Sequence, residues 1–83
     1  MKKKFYLLKL QIRNGDAEFT SMSLHTISSL VTDYAENYAS TFYGKNDEEA
    51  NGWYLFFNGQ RAVTVESIKE VTADEYAVLQ KYL

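Results

Sequence analysis

His25 is the only histidine of this 83-residue chain, and Ser21 and Ser23 stand at alternate spacing before it. On an extended segment residues two apart share a face, so a serine hydroxyl would lie beside an imidazole able to take its proton. A working pair needs more: a carboxylate to orient the ring and donors for an oxyanion. No glycine-rich elbow is present, and we expect His25 to be an ordinary strand-end or first-turn helical residue. Zinc would require several His, Cys or carboxylate ligands. The chain has no cysteine and nothing near His25 supplies the rest.

The acids offer general acid–base chemistry in principle, with Glu18, Glu66 and Asp74 the candidates. Sequence spacing gathers no pair of them, so an enzyme is the weakest of three expectations. Asp47-Glu48-Glu49 runs straight into Ala50 and lacks the ligand spacing of a calcium loop. The glycines at 15, 44, 52 and 59 are scattered, so no phosphate cradle is written and no cofactor or metal is expected.

Positive charge collects at the start. Lys2, Lys3, Lys4, Lys9 and Arg13 accompany Phe5 and Leu7, a combination that would suit single-stranded nucleic acid, where rings stack on bases. Asp16 and Glu18 offset that charge, and the net charge is −2. Nucleic acid therefore ranks behind protein as the expected partner.

These residues are held by a repeated pattern of elements. Asn14-Gly15 and Asn58-Gly59 each sit between strand-like runs, and Asn-Gly is the strongest short hairpin signal because a type I′ turn needs positive φ at both central residues. Such a turn at 14–15 would set Arg13 opposite Asp16, Ile12 opposite Ala17 and Leu10 opposite Phe19. Leu8, Leu10, Ile12, Ala17 and Phe19 then form an inner face, with Phe5, Leu7 and Met22 on the outer one. The turn at 58–59 would set Leu55 opposite Ala62 and Tyr54 opposite Val63, with the strand running on to Val71 through a bulge.

Ile27, Leu30, Val31, Tyr34, Ala35, Tyr38, Ala39, Phe42 and Tyr43 carry helical spacing for four turns. Ser23 or Thr26 would cap this helix and Gly44 would end it. Lys45 to Gly52 has loop chemistry. Thr72 and Glu75 form a capping box that opens a short last helix bearing Tyr76, Leu79, Tyr82 and Leu83.

The expected fold is a single α+β domain over residues 1–83, ordered β-β-α-β-β-α. It has a four-stranded, mostly antiparallel sheet with one long and one short helix, mainly on one face. The order of the two hairpins is open, as is which parity of Trp53 to Phe57 faces the core.

Hydrophobic residues make 46% of the chain and aromatic residues 16%, more rings than one small core can absorb. No apolar run approaches the roughly 20 residues needed to cross a bilayer, and Lys9 interrupts the apolar stretch after the N-terminal lysines. With no cysteine, this leads us to expect a cytoplasmic protein and no membrane partner. The style is that of short bacterial or phage accessory proteins.

The leading expectation is a non-enzymatic module that binds a protein partner or itself. It would use the sheet face left bare by the helices: Phe5, Leu7, Met22, Trp53, Leu55 and Phe57. Nucleic-acid binding through the basic first strand is second.

Overall fold

The computed structural model describes residues 3–83. The element order is β1 (Lys4–Asn14), β2 (Ala17–Ile27), α1 (Val31–Ser40), β3 (Glu48–Ala50), β4 (Trp53–Phe56), β5 (Arg61–Val71) and α2 (Ala73–Leu79). The α+β class is as expected, but the sheet has five strands, ordered β2-β1-β5-β4-β3. The fifth is Glu48–Ala50, which pairs back onto β4 across Asn51 and Gly52. Both turn residues have positive φ, so an Asn-Gly turn builds a hairpin inside the segment expected to be loop.

All neighbouring strands are antiparallel, and β1 and β5 occupy the centre. The second hairpin keeps the expected register, Leu55 opposite Ala62 and Tyr54 opposite Val63. The first does not: Arg13 pairs with Glu18, Ile12 with Phe19 and Leu10 with Ser21. Gly15 has φ +63° while Asn14 lies in the strand and pairs with Ala17. The two central residues are therefore Gly15-Asp16, a turn with glycine first. Each partner moves by two residues, so every side chain keeps its face.

The core lies on the inner face. Leu8, Leu10, Ile12, Phe56 and Val63 pack with Ala35 and Ala39 of α1, and Tyr38, Phe42, Tyr43, Tyr54, Val65 and Ile68 surround them. Small side chains at 35 and 39 let the helix sit close to the sheet. Ala17 and Phe19 share this face yet remain exposed.

The helix is shorter than its stripe. Ile27 ends β2 and is buried there. Pairing with the first half of β1 requires β2 to continue through Thr26 and Ile27, and that ladder outweighs the local helical spacing. Ser23 and Thr26 are consequently strand residues, and the N-cap is Leu30, with no side-chain bond. At the other end the hydroxyls of Ser40 and Thr41 both donate to the Asn37 carbonyl. Gly44 follows with φ +98° after a further turn.

In β5, Ser67 pairs with Lys9 while Val65 pairs with Leu10, which leaves Glu66 as a bulge.

The last helix corrects the expected layering. Thr72 accepts from the Glu75 amide at 3.0 Å and Glu75 accepts from the Thr72 amide at 2.9 Å, the reciprocal capping box. But Tyr76 lies 4.7 Å from Phe5, centroid to centroid, and Phe5 is on the face away from α1. The helices therefore cover opposite faces. Val71 is buried next to Phe5 in the ladder, so β5 delivers α2 directly onto the outer side.

Candidate functional site

Alternation sorts the apolar run of β4. Tyr54 and Phe56 point to the core, and Trp53 and Leu55 to the outer face. Phe57 leaves the pattern because its φ is +54°, the first of three consecutive left-handed residues with Asn58 and Gly59. Its ring lies beside Tyr43, with the Arg61 guanidinium 5.4 Å from its centroid. Phe57 thus belongs to the α1 side of the sheet's turn end and drops out of the outer-face set.

Five of the six expected contact residues do share the outer face: Phe5, Leu7, Met22, Trp53 and Leu55. Tyr76 covers Phe5. Leu7 and its partner Leu24 are half-buried, and Met22 is 46% exposed. A shallow groove of about 270 Å³ runs between Met22, Leu24, Tyr76 of α2 and the residues Gln80 and Leu83 that follow the helix. Trp53 and Leu55 stand beyond α2, on β4. The Arg13 guanidinium lies 4.9 Å from the Trp53 ring centroid, a cation–π contact that holds the indole against the sheet. Across the strands Arg13 pairs with Glu18, whose carboxylate accepts from the Gln11 amide at 3.1 Å.

The basic residues divide between faces. Lys4 has even parity with Leu8 and Leu10 and meets Glu70 at 3.8 Å. Lys9 and Arg13 have odd parity and face outward. Lys3 is exposed ahead of β1, and Lys2 lies outside the described residues. Strand alternation keeps Lys9 and Arg13 on the outer face with Phe5 and Leu7, as expected, and Glu18 pairs with Arg13 across the strands.

On the inner face the Ser–His adjacency is real. Ser23 Oγ lies 2.7 Å from His25 Nε2, and Tyr34 Oη lies 2.8 Å from His25 Nδ1. A neutral imidazole carries one N–H, so it donates to one hydroxyl and accepts from the other. Tyr38 meets the ring edge-on at 4.6 Å, and Tyr34 at 5.3 Å. Burial lowers the His25 pKa. Burial also raises that of Tyr34, with a further upward push from Tyr38. Among the described residues no carboxylate bonds to the imidazole, whose two nitrogens meet Ser23 and the Tyr34 phenol. The cluster reads as a polar bridge from β2 to α1. Strand parity foretold Ser23 beside His25; Tyr34 as the third member required the helix to be placed.

The acids stand apart. Glu18 is on β2, Glu66 in the β5 bulge and Asp74 in the first turn of α2. Among the described residues no group of three or more His, Asp or Glu side chains gathers to hold a metal. Hydrogen bonds with the Thr72 backbone and hydroxyl hold the Glu75 carboxyl below its usual range. That direction is the reverse of what a general acid at neutral pH requires. A cavity of about 230 Å³ between α1 and the β3–β4 hairpin does bring Glu36 and Glu49 near Tyr54, whose pKa rises by burial and then by those two charges.

Among the described residues no helix is long and apolar enough to cross a membrane. No protein-family model matches the chain, and no curated protein and no solved structure matches it.

Proposed function

We propose that this chain is a non-enzymatic interaction module that binds a partner protein, or another copy of itself, through the part of its outer sheet face that α2 leaves bare. Trp53 and Leu55 form the centre, with Leu7 and Met22 toward α2. The observation that carries this reading is the position of Trp53: a large, half-buried ring on a face that neither helix crosses at that point, with the Arg13 guanidinium 4.9 Å from its centroid. Trp and Arg are the residue types that most often dominate binding energy at protein interfaces. The scatter of the acids and the shallow cavities support the non-enzymatic half of the reading. An accessory role of the kind played by small bacterial and phage proteins is its natural extension.

The test is capture of a partner from the source cell by wild-type protein and by Trp53→Ala. Far-ultraviolet circular dichroism confirms that both are folded. A partner held by the wild type and lost by the variant is the expected result. Equal capture by both removes Trp53 from the contact and the reading with it.

A further inference from the structure

One edge of the sheet is closed by the three-residue β3. The other is β2, eleven residues long. Free strand edges are usually blunted by lysines, proline, a bulge or brevity. β2 has none of these: it pairs with β1 without a register break, and Glu18 is its only charged residue.

The ladder fixes which groups it presents. A two-residue hairpin closes on a pair that exchanges both hydrogen bonds, here Asn14 with Ala17. Alternation then commits the amides and carbonyls of residues 17, 19, 21, 23, 25 and 27 to β1. Those of Glu18, Thr20, Met22, Leu24 and Thr26 point away from the sheet, and none of them meets another backbone group among the described residues.

This outward set is symmetric about Met22, which is also the midpoint of the strand. We propose that two copies of this chain pair along β2, antiparallel about a two-fold axis through Met22, joining two five-stranded sheets into one. In that register Met22 meets Met22 of the second copy, Thr20 meets Leu24, and Glu18 meets Thr26. Every outward amide and carbonyl of both edges is used, giving about ten hydrogen bonds, the usual number for a stable interface. No like charges face each other. The exposed rings and chains on both faces gain apolar neighbours at once: Phe19 comes opposite His25 of the second copy, next to its Tyr34–Tyr38 cluster, and Met22 packs on its twin. Phe19 and Met22 are both 46% exposed in the single chain. An isolated partner strand could use the same edge, but self-pairing covers the exposed Phe19 and Met22 of both copies at once.

Met22 also borders the proposed outer-face contact, so the separating variant is Trp53→Ala, which the β2 pairing expects to leave the dimer intact. The chain has no cysteine, so a single Met22→Cys places a lone thiol on the axis, where the paired Cα atoms would lie about 5.5 Å apart, within disulfide reach. Mild oxidation is expected to link Met22→Cys chains and to leave Glu18→Cys chains unlinked. Sedimentation of the wild type is expected to show a dimer. Met22→Lys sets two ammonium groups side by side and raises the dissociation constant at least about tenfold, while mixing Met22→Lys with Met22→Glu restores the dimer. Met22 is exposed in the single chain, so these variants keep the fold, checked by circular dichroism. A wild type that stays monomeric at millimolar concentration overturns the proposal. So does a dimer that survives Met22→Lys but dissolves in Trp53→Ala, which would assign self-association to the outer face.

Discussion

His25 shows what a single titratable side chain contributes when it bridges two elements. Its ring nitrogens meet Ser23 of β2 and Tyr34 of α1, and burial lowers its pKa below the ordinary value of about 6.5. The unfolded chain therefore takes up the proton first as the pH falls. Stability from this group is complete above about pH 6.5, declines as the pH drops toward the lowered folded value, and changes no further below it. The expected observation is a thermal midpoint that begins to fall below about pH 6.5, with that decline flattened in His25→Gln. Glu75 acts in a separate, lower window, because its folded pKa is depressed and its contribution is lost only as the pH falls through the carboxylate range. A midpoint flat from neutral pH down to that range would contradict the His25 assignment. At this scale the sequence was informative about neighbours along a strand and silent about partners across elements. Ser23 beside His25 followed from parity, as did Trp53 and Leu55 sharing a face. Phe57 departs from the expected outer face because a two-residue turn at Asn58-Gly59 would leave it in the strand, whereas the left-handed backbone starts one residue earlier.

Among the elements, α2 was the most legible in its start and the least in its place. The Thr72–Glu75 box forms as its residue types predict. Yet α2 buries none of its own residues completely, so its helicity depends on the cap more than on packing. Thr72→Ala is expected to cost about 1 kcal/mol. The loss should appear as faster amide exchange in α2 and weaker Phe5–Tyr76 contact, with β1 and β5 unaffected. If exchange in α2 does not change, the cap is not what holds the helix. Its location on the outer face was not legible, because the direction a chain takes on leaving a strand depends on strand length and on the bulge, and neither has a local signature. The first helix erred oppositely. Its stripe from Ile27 to Tyr43 is longer than the helix because the β1–β2 ladder claims Ile27, and Ser40 and Thr41 bond back to Asn37. The short strand Glu48–Ala50 reads as loop from its acids, although Asn51-Gly52 after it carries the same hairpin signal as the other two turns.

For the whole molecule, stability is graded from the central strands to the two edges of the sheet. Leu8, Leu10, Ile12 and Val63 of the central strands are almost fully buried, whereas β2 contributes Ile27 and β3 contributes nothing to the buried set. Local opening follows buried contact. Amide exchange is expected to be slowest in β1 and β5, intermediate in β4 and α1, and fastest in β3 and α2. Slow exchange across β3 would show that the hairpin edge is held by contacts beyond the sheet described above. The broad α+β class and the existence of both hairpins were readable because alternation and turn chemistry are local. The strand order is not, since it is decided by the one pairing between distant segments, β1 with β5, the other three being hairpins. The placement of two helices on opposite faces narrows the bare surface to the β4 side and to Met22.

The bulge in β5 has an effect on how this chain tolerates change. Val63 and Val65 lie on the core face with odd numbers, Ile68 with an even one, and Glu66 absorbs the mismatch. Excising Glu66 would leave Val65, Ser67, Ile68, Lys69 in unbroken alternation, each still aimed where it is aimed now. Excising any residue from Ala62 to Thr64 would instead turn part of the strand inside out, and excising Val65 would put the Glu66 carboxylate in the core. Position 66 is therefore the point in the central ladder where evolution or an engineer can shorten the protein by one residue without rewriting its interior.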